Sequence, residues 1–297
     1  MSHIAQAAPP SERLQEPVSK RLPWWQAVIL ILLIGWLYAA ILFHLAQQWW
    51  HDPNFSHGIF VPLFSVFVLW QERSRLAALP TAPSAWGLLI AAFALCVLTV
   101  GVLGAELFLA RFSLLLLIAG LVIYFLGWRF FRAVLFPSAF LILMIPIPAI
   151  LFNQITFPLQ ILASKLAALV LPLAGVPVLR EGNVIHLPAM SLEVAQACSG
   201  IRSLLSLMTL AIIYGFLTET RIAIRIFLAL ASIPIAVAAN SLRIVGTGLT
   251  VQYWGPERAE GFFHLFSGWL IFVVSLAMLF LLHQLLRLGE HAEEDEP

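Results

Sequence analysis

From Ala27 to Ala46 the chain carries no Asp, Glu, Lys or Arg for about 20 residues, the length at which a helix crosses the hydrocarbon core of a bilayer. Further apolar runs follow at Ile59–Trp70, Trp86–Leu103, Phe112–Leu126, Ala133–Ile145, Leu204–Leu217, Ala223–Val245 and Gly261–Leu285. Inside lipid every backbone N–H and C=O must be satisfied within the protein, so runs of this kind become helices. The sequence therefore predicts an all-α polytopic membrane protein with about eight spans.

Composition agrees and narrows the functional classes. Hydrophobic residues make up 61% of the 297 and charged residues only 10%, with a mean hydropathy of +0.96. Soluble domains hold about 45–50% apolar residues. A formal net charge of +1 leaves no basic surface for nucleic acid. Two cysteines, Cys96 within an apolar run and Cys198 at the edge of another, form no disulfide framework. The first apolar run is too long for a cleavable signal core, so none is expected.

Flanking charges give a direction to each span. Residues 1–23 read as a disordered cytoplasmic N-terminus, with Arg13, Lys20 and Arg21 ahead of the first span. Trp24, Trp25, Trp49 and Trp50 bracket that span like an aromatic belt. Arg73, Arg75, Arg129, Arg132, Arg221, Arg225 and Arg287 then fall on the cytoplasmic side, which makes ten of the 16 basic residues. The other six, Arg111, Lys165, Arg180, Arg202, Arg243 and Arg258, fall outside. Residues 24–287 read as one multispanning domain and 288–297 as an acidic cytoplasmic tail.

Between Pro146-Ile-Pro148 and Cys198 the pattern changes. Phe152–Leu173 is apolar but contains Asn153, Gln154, Gln160, Ser164 and Lys165, which suits an interfacial or re-entrant helix better than a span. Asn183–Pro188 and Ser191–Ala195 alternate around Pro188-Ala-Met190 and predict a short extracytoplasmic hairpin.

The hairpin leads to Cys198-Ser-Gly-Ile-Arg202, where a thiol precedes an apolar helix. Backbone N–H groups at a helix N-terminus and a nearby Arg202 favour a thiolate, although a cysteine in so apolar a chain also serves as a small buried hydrophobe. The predicted topology brings two more groups to the same edge. Arg243, three residues after Asn240, interrupts an apolar run, where a guanidinium is costly and usually functional. His264 begins the last span. Thiol, imidazole and guanidinium suffice for acyl transfer: the thiolate attacks a carbonyl, one partner moves the proton and a fixed cation holds the oxyanion. Chemistry favours His264 as proton shuttle and Arg243 as oxyanion or leaving-group partner, with the reverse open. Substrate contacts are expected from His57, Arg180, Arg202 and Asn240. No metal or other cofactor is called for: His51, Asp52 and His57 lie in a loop without ligand spacing.

Ala197-Cys-Ser-Gly-Ile-Arg-Ser203, Asn240-Ser-Leu-Arg-Ile244 and Phe263-His-Leu-Phe-Ser-Gly268, with Phe55-Ser-His-Gly58 and Ile145-Pro-Ile-Pro148, resemble the exosortase and archaeosortase family. The likeness runs from about Trp50 to the last span. It implies a cysteine transpeptidase of the bacterial inner membrane, with both termini cytoplasmic and the active site facing the periplasm. Substrates would be secreted proteins ending in a Pro-Glu-Pro-like motif, an apolar helix and a basic tail, cut near the motif through an acyl-thioester on Cys198. The acyl group would pass to a lipid- or polysaccharide-linked envelope acceptor. The family's arginine, matched by Arg243, is proposed there as proton donor, and the third position, matched by His264, as transition-state stabiliser. The rival reading is a non-catalytic membrane subunit or transporter in exopolysaccharide export, since an intramembrane arginine and broken helices suit transporters as well. A membrane metalloprotease is disfavoured by the lack of His-Glu-x-x-His.

Overall fold

The computed structural model describes residues 23–194, 200–257 and 262–294. The N-terminal segment before Pro23 and the residues around Cys198 lie outside that set. As the hydropathy requires, the described chain is overwhelmingly helical. Its helices are α1 (Trp24–His51), α2 (Phe60–Gln71), α3 (Arg73–Ala77), α4 (Trp86–Leu103), α5 (Leu107–Phe125), α6 (Trp128–Ala133) and α7 (Leu135–Phe140). They continue as α8 (Ala149–Val170), α9 (Gly200–Thr218), α10 (Ile222–Trp254) and α11 (Phe262–Glu294).

Among the described residues, six helical stretches are long and apolar enough to cross a membrane, and Ser56–Gln71, Leu135–Met144 and Arg202–Thr218 are shorter apolar helices. Predicted spans at Ile59–Trp70, Ala133–Ile145 and Leu204–Leu217 correspond to those three shorter pieces. Large apolar side chains such as Trp36, Phe93 and Leu103 lie exposed on the longer helices, as expected of surfaces that meet lipid.

Three differences from the sequence reading have local causes. Helix α10 continues nine residues past Val245, because its polar second half is satisfied inside the helix: Ser241 Oγ donates to Val237 O and Thr250 Oγ1 to Gly246 O. At about 1.5 Å per residue its 33 residues exceed the roughly 30 Å of a hydrocarbon core. The segment read as interfacial is α8, an uninterrupted helix of 22 residues whose length and composition match the spanning helices. Its polar residues hold the hairpin: Ser164 Oγ donates to Gly182 O (3.0 Å) and Asn183 Nδ2 to Gln160 Oε1 (3.3 Å).

The hairpin itself has a third strand. β1 (Leu179–Glu181), β2 (Val184–His186) and β3 (Ser191–Glu193) form an antiparallel sheet in that order. Glu181 pairs with Val184, leaving Gly182-Asn183 as a two-residue turn. Gly182 has φ +62°, which fits a type II′ turn with glycine first.

Packing divides α10 into two halves. Its first half pairs with α9, with Leu207, Ala211 and Leu228 buried between them. Its second half carries α8 and the sheet: Ala167, Leu171, Ile185, Leu192, Ile244 and Val251 form one buried cluster, and Tyr253 Oη donates to Ala174 O. At the other end of α9, Phe216 stacks on Phe136 at 4.3 Å and meets Phe64 edge-on, joining α9 to α7 and α2.

A polar lock closes the α9–α10 turn against α11. Glu219 Oε1 accepts from His283 Nε2 at 2.6 Å and from Arg287 Nε at 3.0 Å. A carboxylate only accepts, so Nε2 carries a ring proton, and Nδ1 shares a second hydrogen bond with Tyr214 Oη, also at 2.6 Å. Glu219 and His283 are 8% and 1% exposed. The hydrogen bond from His283, reinforced by Arg287, holds the Glu219 carboxyl below the usual carboxylate range against the opposing effect of burial.

Candidate active site

Of the sequence-predicted site residues, Asn240 and Arg243 lie on the second half of α10. Asn240 and Arg243 are three apart on one helical face and only 6% and 9% exposed. Arg243 reaches α11 at Gly268. A Cβ added there would stand 3.2 Å from Arg243 Nη2 and 3.5 Å from Cζ, so the guanidinium lies against backbone that only glycine leaves bare. Gly268 follows His264 by four residues on α11 and shares its face. The guanidinium therefore stands one helical turn from the His264 position. The His264 backbone belongs to the first turn of α11, whereas its side chain lies outside the described set.

Arg202 sits exposed in the first turn of α9. It is close enough to feel the like charge of Arg243 and the opposite charge of Asp52. Cys198, two residues before the start of α9 in the sequence, lies outside the described residues. Arg258 and the side chain of Ile201 also lie outside.

Asn240 faces a small cavity of about 20 Å³ between α8, α9 and α10, with Thr156, Leu159, Gln160, Ala163 and Leu204 among its walls. That volume admits about one water. Arg180 is placed on β1, where its Nη1 donates to Gly182 O at 2.6 Å, within the hairpin turn.

His57 is buried at 8% exposure in a 3₁₀ turn, Ser56–Ile59. Its Nδ1 has no hydrogen-bond partner among the described residues. The adjoining Gly58 is demanded by a close approach, because a Cβ there would fall 2.3 Å from Trp49 Nε1, and that indole donates to Met144 O at 2.9 Å. Phe55 in turn meets Phe152 of α8 with ring centroids 5.7 Å apart. The Phe55–Gly58 and Ile145–Pro148 motifs, some 90 residues apart in sequence, thus meet through Trp49, Met144 and Phe152. Among the described residues no group of three or more His, Cys, Asp or Glu is arranged to hold a metal ion.

Sequence reasoning passed over Gly268 and Arg111. The signal for the first was its four-residue spacing from His264. Arg111 had the signal used for Arg243, a cation in an apolar run. It is 3% exposed on α5, and its Nη1 donates to Gln48 Oε1 at 2.8 Å.

No curated protein and no solved structure matches the chain. The family model of the transmembrane exosortases matches residues 49–281, a stretch that contains Arg243, Gly268, both outer motifs and the hairpin. This chain, with its helical membrane architecture and its buried arginine on the next-to-last helix, belongs to the transmembrane exosortase family.

Proposed function

We propose that the protein is a membrane-embedded cysteine transpeptidase. It cleaves a C-terminal sorting signal from secreted proteins through an acyl-thioester on Cys198 and passes the acyl group to an envelope acceptor. The observation that carries this reading is the seat of Arg243 on Gly268, one turn from His264, with Arg202 at the start of the helix that Cys198 precedes in the chain. Family membership supports the same reading.

In the first step Cys198 gives its thiol proton to His264, the thiolate attacks the scissile carbonyl carbon, and the developing oxyanion is drawn to the Arg243 guanidinium, a fixed cation with several N–H donors. Collapse breaks the C–N bond, His264 delivers the proton to the departing amine, and the acyl group stays on sulfur. In the second step an acceptor hydroxyl or amine gives up its proton to His264 and attacks the thioester, which releases the Cys198 thiolate and leaves His264 protonated for the next cycle. Water in place of the acceptor gives hydrolysis.

Orientation follows from charge. Arg73, Arg225 and Arg287, with the Glu219 lock, lie toward the helix ends opposite the hairpin and suit the cytoplasmic side. The hairpin, α8 and the second half of α10 then face the periplasm. Asn240 and the adjoining cavity, with Arg180, Arg202 and His57, contact or frame the substrate segment.

The test is coexpression with a secreted reporter ending in a Pro-Glu-Pro-like motif, an apolar helix and a basic tail. Wild-type protein should shorten the reporter, and an equally abundant Cys198→Ala variant should leave it full length. Processing by both would remove the nucleophile and with it this reading.

A further inference from the structure

The two edges of the three-stranded sheet are treated differently by the chain. Val194 N donates to Asn183 O and Leu187 N to Met190 O, on either side of the Ile185–Leu192 pair. Along an antiparallel strand, residues alternately face the neighbour and face away from it. Leu192 and Val194 therefore turn their N–H and C=O groups toward β2, and Ser191 and Glu193 turn theirs outward. On the β1 side the chain supplies partners of its own. Helix α8 packs against β1, and Gly182 O accepts from Ser164 Oγ at 3.0 Å and from Arg180 Nη1 at 2.6 Å. Among the described residues nothing donates to or accepts from the outward backbone groups of Ser191 and Glu193.

Both faces of the sheet are committed. Ile185, Leu192 and Val194 are buried in one cluster with α8 and α10. The opposite face carries a polar chain, in which Ser191 Oγ and His186 Nδ1 share a hydrogen bond of 2.8 Å and His186 Nε2 lies 3.6 Å from Glu181 Oε2. The β3 edge is thus the part of the sheet left to a partner, and an edge of this kind is a template for one more strand.

Its position says which strand. Glu193 precedes Cys198 by five residues, so the two backbones stand at most about 18 Å apart. A peptide carbonyl inside a helix is shielded by the next turn, so a segment opened by a nucleophile has to be extended. An extended segment brings unmade N–H and C=O groups, which are costly to leave unpaired beside lipid. Ser191 and Glu193 offer two donors and two acceptors at the spacing that such a segment requires.

We propose that the outer edge of β3 docks the polypeptide substrate as a fourth strand, held through its backbone by the N–H and C=O groups of Ser191 and Glu193. The inference rests on the transpeptidase reading and goes beyond it by assigning a recognition that is independent of substrate side chains.

The experiment gives purified full-length protein synthetic peptides that carry the sorting signal, with single backbone nitrogens around the cleaved bond methylated in turn. Each methyl removes one N–H and leaves every side chain in place. Successive N–H groups of a strand point to opposite sides, so kcat/KM should fall about tenfold or more at every second position and change little in between. Glu193→Pro deletes an outward N–H while sparing the bonds to β2. It should cost about tenfold at undiminished thermal stability and blunt the effect of the methyl at one of the sensitive positions. Losses without the two-residue alternation, or no losses, would overturn the docking edge, and the scan with wild-type protein decides this alone if Glu193→Pro folds poorly. A flat scan together with a wild-type dimer that Glu193→Pro dissociates would overturn it too, by giving the edge to a second copy of this chain. Alternation that persists while Cys198→Ala also processes the peptide would fail the transpeptidase reading and leave the edge standing.

Discussion

Arg243 and Gly268 approach across α10 and α11 so closely that an added methyl would lie 3.2 Å from Nη2, tighter than an ordinary contact. Gly268→Ala should therefore shift the guanidinium by a few tenths of an ångström while helping the helix, since alanine is favoured over glycine by about 0.8–1.0 kcal/mol in a helix interior. The expected outcome is processing slowed several-fold to about tenfold with undiminished abundance and thermal stability, because small misplacements of a charge-stabilising group cost rate before they cost fold. A rate equal to wild type would show that the contact does not position Arg243 for the reaction.

Gly58 and Trp49 offer the opposite case, where a close approach holds the fold. Gly58→Ala places a methyl 2.3 Å from the indole nitrogen and must displace it from Met144 O. Overpacking of this kind costs about 1–3 kcal/mol. Thermal unfolding in detergent should show the loss, and Trp49→Phe, which deletes the hydrogen bond and keeps an aromatic ring, should lose about 1 kcal/mol.

The lock at Glu219 predicts a pH dependence. The folded protein holds this carboxyl below its ordinary range, and an unfolded glutamate titrates near 4.3. Its contribution is therefore present in full above the unfolded value and is lost as pH falls through the lower folded value. Melting curves from about pH 6 down into the acid range should fall more steeply for wild type than for Glu219→Gln. Near neutral pH the variant should be less stable by roughly 1–3 kcal/mol, because His283 and Arg287 lose their shared acceptor. Parallel curves would show that the carboxylate plays no such part.

Arg202 feels the like charge of Arg243 and the opposite charge of Asp52. Arg202→Glu adds a counter-charge near the Arg243 guanidinium and a like charge near Asp52. Processing should fall several-fold, and the fall should shrink as salt rises, since Arg202 is exposed. A loss that ignores ionic strength would point to packing instead of charge.

Much of this arrangement is legible along the chain because lipid imposes one solution. Apolar length marks the helices, and Arg243 stands out since a guanidinium in an apolar run needs a reason. Alternation around Pro188 shows β2 and β3, whereas β1, equally short, lies across the Gly182-Asn183 turn and outside that alternating stretch. The polar residues of α8 look interfacial one at a time, yet Gln160 and Ser164 are engaged by Asn183 and Gly182. Contacts between distant segments carry the remainder: nothing local in the sequence joins Gly58 to Trp49, His283 to Glu219 or Arg111 to Gln48.

If Cys198 carries the acyl group, the covalent intermediate should be visible in the intact mass of the protein after brief coexpression with the reporter, read before and after hydroxylamine. Wild-type protein should gain a mass equal to the acyl fragment, hydroxylamine should remove it, and Cys198→Ala should never show it. The thioester would be ruled out by a reporter processed at the wild-type rate with no such adduct in either protein, or by an adduct that survives in Cys198→Ala.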